Sequence, residues 1–268
     1  MKIAVDAGNG VGGFYAYDVL APLGADISGS VYLEPDGNFP NHAPNPENAE
    51  AMDCLSKAVV SSHSDLGVIF DTDVDRAACV GKDGFEINRN RLVALASEIA
   101  LEGCPGGTIV TDSVTSDGLA AFIAAKGGKH LRFKRGYRNV INKQLELCAE
   151  GVKCPLAMET SGHAAFAENY FLDDGAYLIT KLIIKAAALA ERGLALESLI
   201  DGLAEPAEER ELRFKILCDD FRPVGEKVIA HFERAAVERA AGAPAPTTTR
   251  AYASTPTRAA ATAGSCCG

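Results

Sequence analysis

The stretch that decides the fold is Leu66-Gly67-Val68-Ile69-Phe70, followed directly by Asp71-Thr72-Asp73-Val74-Asp75-Arg76. A short apolar run bounded by polar residues predicts a buried strand, so three alternate carboxylates leave the end of that strand together. Oxygen ligands on a tight loop suit a hard cation such as Mg²⁺. Arg76 adds a planar donor that can bind phosphate beside the cation. The predicted metal ligands are therefore Asp71, Asp73 and Asp75.

The same loop is open to a plainer interpretation as a turn. Aspartates often crowd the loop after a strand simply because they form turns, and that alternative stays open from the sequence. A calcium EF-hand fits poorly, because its loop needs Gly at position six and Glu at position twelve. The chain has Arg76 and Lys82 at those positions.

A second motif, Met158-Glu159-Thr160-Ser161-Gly162-His163, follows the predicted strand Pro155-Leu156-Ala157. Glu159 and Ser161 can hydrogen-bond to a polyhydroxylated ligand. His163 can move a proton near neutral pH. A capped loop with an incidental structural histidine is the alternative to this ligand-binding interpretation.

In this order the two motifs resemble those of the α-D-phosphohexomutases, the phosphoglucomutase and phosphomannomutase superfamily. In that family a DGDGDR-like loop binds Mg²⁺ and a GE-x-SGH-like loop holds the sugar. The resemblance extends to Lys2-Ile3-Ala4-Val5-Asp6-Ala7-Gly8-Asn9-Gly10, to Glu34-Pro35-Asp36-Gly37-Asn38-Phe39-Pro40, to Pro44-Asn45-Pro46-Glu47 and to Phe133-Lys134-Arg135-Gly136-Tyr137-Arg138.

The resemblance implies an α/β fold of two consecutive α/β/α domains with largely parallel or mixed sheets. It implies that residues 1–103 form the family's domain II, with the metal loop, and that residues 104–205 form domain III, with the sugar loop. Residues 206–240 would then be a partial domain IV. The tail, residues 241–268, is rich in Ala, Thr and Pro and lacks the apolar area to fold, so it is predicted to be disordered.

The resemblance also implies an activity, the reversible transfer of a phosphate between the C1 and C6 oxygens of a hexose phosphate. Mg²⁺ is the implied cofactor of this isomerase of carbohydrate metabolism, and a phosphoserine carries the phosphate. The catalytic candidates are Arg76, on the phosphate oxygens, and His163, as general acid or base. The candidates for substrate binding are Glu159, Ser161, Lys134 and Arg138.

The departures from the family pattern lead to two further expectations. Thr72 and Val74 replace the two glycines of the usual metal loop, and β-branched residues disfavour positive φ. The loop is therefore expected to have an ordinary backbone conformation. Neither a TASHNP-like phosphoserine segment nor an R-x-SGTEP-like loop occurs. Family domains I and most of IV are therefore expected to be missing, and the chain alone is expected to show little or no turnover.

Three further functions remain alternatives. Gly8-Asn9-Gly10-Val11-Gly12-Gly13 satisfies the dinucleotide fingerprint, although a lone match is weak. The strand ending in Asp71-Thr72-Asp73 also resembles that of haloacid-dehalogenase-like phosphatases, with Asp71 as nucleophile. A non-catalytic phosphosugar-binding remnant is the third. His42, His63, His130 and His231 stand outside these motifs.

The composition of the chain limits the classes of binding partner and the cellular compartments that we expect. The net charge of −10 argues against nucleic acid. No run of apolar residues is long enough to cross a membrane. Eight scattered cysteines in 268 residues, with no C-x-x-C pair, favour a reduced, intracellular protein. The prediction is a cytoplasmic location, or a plastid if a lost N-terminal segment carried targeting.

Strand-like and helix-like patterns alternate along the chain, which predicts the α/β class independently of the resemblance. A hairpin is expected where Lys82-Asp83-Gly84 separates two apolar runs. The predicted strands are 3–5, 66–70, 78–80, 85–87, 108–111, 131–133 and 155–157. One predicted helix ends at Leu20. The other predicted helices cover 47–60, 92–99, 118–126, 140–149 and 176–191.

Overall fold

A computed structural model describes residues 1–208, 216–218 and 220–240, apart from the side chains of 236–240. The chain divides into two compact units, Met1–Glu208 and Glu209–Gly268. The tail predicted to be disordered, residues 241–268, lies outside the described residues.

The first sheet has four strands, in the order β1-β2-β3-β4. β1 and β2 are parallel, and β3 and β4 continue the sheet in antiparallel fashion. The predicted hairpin joins β3 to β4, and helix α1 packs against β1 and β2. The bounds are β1 (Ile3–Asp6), α1 (Ala49–Ser62), β2 (Leu66–Phe70), β3 (Ala77–Gly81) and β4 (Glu86–Ile87).

The second sheet has the order β6-β5-β7-β8, with β8 as its antiparallel member. Helix α4 packs on β5 and β7, and α3 packs on β6. The bounds are α2 (Arg89–Gly103), β5 (Thr108–Thr111), α3 (Asp117–Ala125), β6 (Lys129–Arg132), α4 (Tyr137–Ala149), β7 (Leu156–Met158), β8 (Ala164–Phe166) and α5 (Gly175–Ala190).

One hydrophobic core runs through both sheets of the first unit. It includes Val68 and Ile69 of the first sheet, Ile109 and Leu156 of the second, and Leu182 of α5, all buried. Helix α5 contacts β3 of the first sheet and β8 of the second. Because the sheets share a core, the loops that follow their strands are held at fixed distances.

The α/β fold class predicted from the sequence is confirmed, with two sheets and flanking helices. Every predicted strand and helix up to residue 191 has a counterpart, although the first helix is a short π-helical turn, Tyr15–Leu20. The strand β8 was not predicted. Helix α2 packs against α3, α5 and β7. The predicted domain boundary at residue 103 stays a prediction.

The described part of the second unit contains helix α6 (Phe221–Ala240). Two of its apolar side chains are about half exposed, at 47% for Val228 and 50% for Phe232. The assignment of this region to a partial fourth domain stays a prediction. No helix within the described ranges has the length and apolarity that a membrane crossing requires.

A buried ion pair lies at the carboxyl end of β1. Asp6 is fully buried and both of its carboxylate oxygens lie 3.0–3.1 Å from Nε2 of His42, which is 5% exposed. The hydrogen bond to Asp6 raises the pKa of His42 above its ordinary value, and this outweighs the opposing effect of burial. His42, which no sequence motif included, therefore ties its loop to the first strand.

We expect Asp6→Asn to lower the free energy of unfolding by about 3–5 kcal/mol, the scale of removing one partner from a buried pair. The stabilisation should be complete below the unfolded pKa of histidine and should fall as pH rises through the raised folded pKa of His42. Urea denaturation at several pH values measures both. Lys57→Met, which removes an exposed ion pair with Asp53, is the control and should change little. An equal effect of the two substitutions would contradict this assignment.

Candidate active site

The metal loop, residues 71–76, folds around the carboxylate of Asp71. Oδ1 of Asp71 accepts hydrogen bonds from the backbone N–H groups of Val74 and Arg76, both at 3.1 Å. Its Oδ2 accepts from Nε of Arg76 at 2.9 Å. Burial raises the pKa of Asp71 above its ordinary value, although the adjacent Arg76 opposes the shift. Asp71 therefore organises the loop and presents Arg76 beside the other carboxylates.

The expectation of an ordinary backbone in this loop is wrong at Val74, whose φ is +72°. A β-branched residue there is strained, so other contacts must hold it. The N–H of Val74 donates to Asp71, its carbonyl accepts from Gly175 at 3.1 Å, and its side chain is 7% exposed. These contacts hold Val74 at a positive φ, which a glycine would adopt without strain.

Three carboxylates of the metal loop converge as predicted. Each of Asp71, Asp73 and Asp75 offers one carboxylate oxygen, and these three oxygens lie within 4.8 Å of one another. Oδ1 of Asp75 is buried without a hydrogen-bond partner among the described residues, 3.8 Å from Nε of Arg76. An all-oxygen donor set with an unsatisfied buried oxygen fits a hard divalent cation.

The sugar loop, residues 159–163, begins where β7 ends. Glu159 is 4% exposed, and its Oε1 accepts a hydrogen bond from the backbone N–H of Gly136. Burial raises the pKa of Glu159, opposed by that hydrogen bond and by the charges of His163 and Arg135. Oγ of Ser161 is buried and has no hydrogen-bond partner among the described residues. The loop thus carries polar oxygens that a ligand hydroxyl could satisfy.

The metal loop and the sugar loop are joined through their backbones. Arg76 and His163 form an antiparallel β-bridge. Next to it, Gly162 has φ +100°, and a Cβ there would lie 2.5 Å from the carbonyl oxygen of Ala77. The close approach requires glycine at this position. The bridge places the two sequence motifs, which are far apart along the chain, side by side.

His163 lies between the two loops. Its Nδ1 is 2.8 Å from Oδ2 of Asp173 and 3.7 Å from Oδ2 of Asp75. Burial lowers the pKa of His163, but the hydrogen bond and charge of Asp173, together with Asp75, outweigh it and raise the pKa overall. The ring stacks on Tyr137 with centroids 5.0 Å apart. Asp173 and Tyr137 therefore fix the imidazole in one orientation.

The basic residues of segment 134–138 differ in where their side chains lie. Lys134 is exposed and forms no ion pair among the described residues, and Arg138 lies over the ring of Tyr137 at 5.7 Å. Arg135, which was not assigned a role, reaches inward. Its guanidinium lies 3.4 Å from Glu47 and 3.9 Å from Asp112.

Asp112 is the main residue of this region that sequence reasoning missed. It follows β5 directly, as Glu159 follows β7, and these parallel neighbours are in register at Thr111 and Met158. Burial, followed by the charge of Glu159, raises the pKa of Asp112 to about 6. The signal that could have found it is its position at the carboxyl end of a parallel strand.

The comparisons with known proteins agree with this geometry. Residues 1–84 match the family model described as phosphoglucomutase/phosphomannomutase, alpha/beta/alpha domain II. Residues 88–206 match the model for domain III of the same family.

The chain belongs to the phosphoglucomutase/phosphomannomutase family.

Individual relatives are also phosphoglucomutases or phosphomannomutases by name. A phosphomannomutase/phosphoglucomutase of Pseudomonas aeruginosa is 37% identical over 68% of this chain and 38% of its own length. A phosphoglucomutase of Neisseria gonorrhoeae is 33% identical over 77% of the chain and 44% of its own length. A solved structure of a family protein from Burkholderia thailandensis has a TM-score of 0.67 and 34% identity, covering 76% of this chain and 43% of that protein.

These comparisons bear on the alternatives. The haloacid-dehalogenase-like phosphatase is not favoured, because the matching family models and the relatives are phosphoglucomutases and phosphomannomutases. Within residues 8–13, a Cβ on Gly10 would lie 2.9 Å from the carbonyl oxygen of Thr72, and a Cβ on Gly13 would lie 2.0 Å from that of Leu33. That packing explains a glycine there without a nucleotide. The chain spans less than half the length of the relatives described above.

We expect Gly162→Ala to destabilise the first unit and to separate the two loops, because it combines a steric clash with an unfavourable φ. The φ penalty alone is about 1–3 kcal/mol, so the clash should take the loss beyond it. Gly127→Ala, at φ +79° with nothing within 4 Å, isolates the φ penalty, and Gly103→Ala, in open space on α2, should change little. Thermal unfolding of the three variants gives the order. A Gly162 variant no less stable than the Gly127 variant would contradict the close approach.

Proposed function

We propose that this chain supplies the metal loop and the sugar loop of a phosphohexomutase that moves a phosphate between the C1 and C6 oxygens of a hexose. The observation that carries the proposal is the β-bridge between Arg76 and His163, which sets a carboxylate cluster beside a loop for sugar hydroxyls. The names of the relatives, which specify mannose and glucose, support a hexose phosphate as substrate. A cytoplasmic location belongs to the same proposal.

In this proposal Asp71, Asp73 and Asp75 hold Mg²⁺. Bound there, the cation neutralises the charge of a phosphate group during transfer, which depends mainly on positioning and electrostatics. Arg76 is held by Asp71 through Nε, so its remaining N–H groups can point at phosphate oxygens. Nη1 donates one hydrogen bond to Oδ1 of Asn45 at 3.3 Å, and the other N–H groups of the guanidinium stay available.

Glu159 and Ser161 bind the sugar hydroxyls. A glutamate accepts hydrogen bonds, whereas the serine hydroxyl both accepts and donates, so the pair suits vicinal hydroxyls. The buried Oγ of Ser161, without a partner in the described structure, is available for this role. Lys134 and Arg138 are exposed on the neighbouring segment, where a cation can meet the phosphate of the substrate.

His163 acts as the general acid or base. The carboxylate of Asp173 accepts from its Nδ1–H, which leaves Nε2 as the nitrogen that exchanges a proton with a hydroxyl. Stacking on Tyr137 keeps the ring in place. A non-catalytic phosphosugar-binding protein would use the same loops, so the fate of the phosphate separates the two functions.

We expect one Mg²⁺ or Mn²⁺ to bind through the metal loop, weakly, because three carboxylates leave several coordination positions to water or phosphate. Titration calorimetry should show binding to the wild type and its loss in Asp73→Asn. Asp83→Asn, in the exposed turn between β3 and β4, removes the same charge elsewhere and should bind as the wild type does. Equal binding by the wild type and Asp73→Asn would remove the assigned role of the loop.

We expect glucose 1-phosphate to shift the amide resonances of residues 134–138 and 159–163. Affinity should be in the millimolar range, roughly −4 kcal/mol. Glu159→Gln should weaken it by about 1.5–3 kcal/mol, the scale of a desolvated charged hydrogen bond. Chemical-shift mapping of the two proteins provides the test, with Glu146→Gln, on the exposed part of α4, as control. Shifts confined to residues 8–13 would instead favour a nucleotide site.

A further inference from the structure

The sugar loop lies beside an uneven set of buried charges. Asp112 is fully buried and Glu159 is 4% exposed, so two carboxylates lie side by side at the ends of β5 and β7. The guanidinium of Arg135 is the cation among them, 3.9 Å from Asp112 and 3.4 Å from Glu47. Its charge also opposes the rise in pKa that burial causes at Asp112 and Glu159. Arg135 is therefore shared directly by Asp112 and Glu47, and its charge also acts on Glu159.

The hydrogen bonds show how the cation is shared. Oδ2 of Asp112 accepts from the Thr160 hydroxyl at 2.9 Å and faces Arg135, while its Oδ1 is buried without a hydrogen-bond partner in the described structure. Glu159 instead accepts from a backbone N–H, that of Gly136. Arg135 is thus held by Asp112 and Glu47, and it forms no direct ion pair with Glu159 in the described structure.

We propose that Asp112 is a positioning residue, whose carboxylate keeps Arg135 on Glu47 and away from Glu159, so that Glu159 stays available to sugar hydroxyls. This inference rests on the proposed function for its ligand. A neutral group at position 112 would remove one of the two acids that hold Arg135, and the buried carboxylate of Glu159, which already interacts with the charge of Arg135, would then bind it. The sugar loop would then lose its charged acceptor to an internal ion pair.

Asp112 stays charged at a cost in stability. Its pKa is raised to about 6, so its ionised form destabilises the folded protein at neutral pH. Asp112→Asn should therefore raise the melting temperature at pH 7.5 and leave it unchanged below pH 4, where the carboxyl is already protonated. The groups that face Asp112 and set this dependence are Glu159, Arg135 and the Thr160 hydroxyl. A purely structural residue would give the opposite sign.

The deciding experiment measures glucose 1-phosphate binding by NMR titration in a double-mutant cycle. Asp112→Asn should bind about tenfold more weakly, the scale of losing one charged hydrogen bond, although it is more stable at pH 7.5. Asp112→Asn combined with Arg135→Gln should recover most of that loss, because the competing cation is gone. Glu146→Gln, on the exposed part of α4, is the control and should leave affinity unchanged.

Two binding results would overturn the proposal. One is a double variant that binds no better than Asp112→Asn, which would make Arg135 a direct ligand of the substrate. The other is an Asp112→Asn variant that binds as the wild type does.

A crystal structure of ligand-free Asp112→Asn gives a test that does not need the substrate. Arg135 should move to within hydrogen-bond distance of Glu159, and a guanidinium that stays on Glu47 refutes the proposal. Should the wild type bind no hexose phosphate, the proposed function fails, and this crystallographic result still decides the role of Asp112.

Discussion

The backbone bridge between Arg76 and His163 is the constraint on which the rest of the site depends. Each loop is fixed by its own sheet, since one follows β2 and the other follows β7. The bridge joins two separate strand ends into one surface, with a carboxylate cluster on one side and the polar oxygens of Glu159 and Ser161 on the other. Gly162 makes the contact possible, because any side chain there would meet the carbonyl of Ala77. The shared hydrophobic core keeps the sheets at the distance that this bridge requires.

Electrostatics give the site its second constraint. Buried carboxylates outnumber the nearby cations, so each cation is held by more than one acid. Asp71 and Asp75 share Arg76, and Asp112 and Glu47 share Arg135. Such sharing is costly in the absence of a ligand, because desolvated carboxylates repel one another. A divalent cation at the metal loop and a hydroxylated ligand at the sugar loop would both relieve it.

The sequence was sufficient for features that are local in the chain. Strands, helices and the hairpin follow from apolar periodicity and turn residues, and the two acidic motifs stood out because their members are close in sequence. It failed where pairing occurs through space. The Asp6–His42 pair, the Arg135–Asp112 contact and the stacking of Tyr137 on His163 join residues that no motif connects. Val74 shows a different limit, since its strained φ is imposed by surrounding hydrogen bonds that local preferences cannot anticipate. β8 contains two alanines, which do not favour strands, so its sequence carried no strand signal.

In the proposed function the cation and the sugar phosphate bind side by side, at the two loops that the bridge joins. Paramagnetic broadening by Mn²⁺ tests it most directly, because the effect falls steeply with distance from the ion. At substoichiometric Mn²⁺ the amide signals of residues 71–76 and 159–163 should broaden first. The phosphorus signal of glucose 1-phosphate should broaden beyond its protein-free control. Broadening centred elsewhere, for example around Asp6 and His42, or a phosphorus signal indifferent to the protein, would contradict the account.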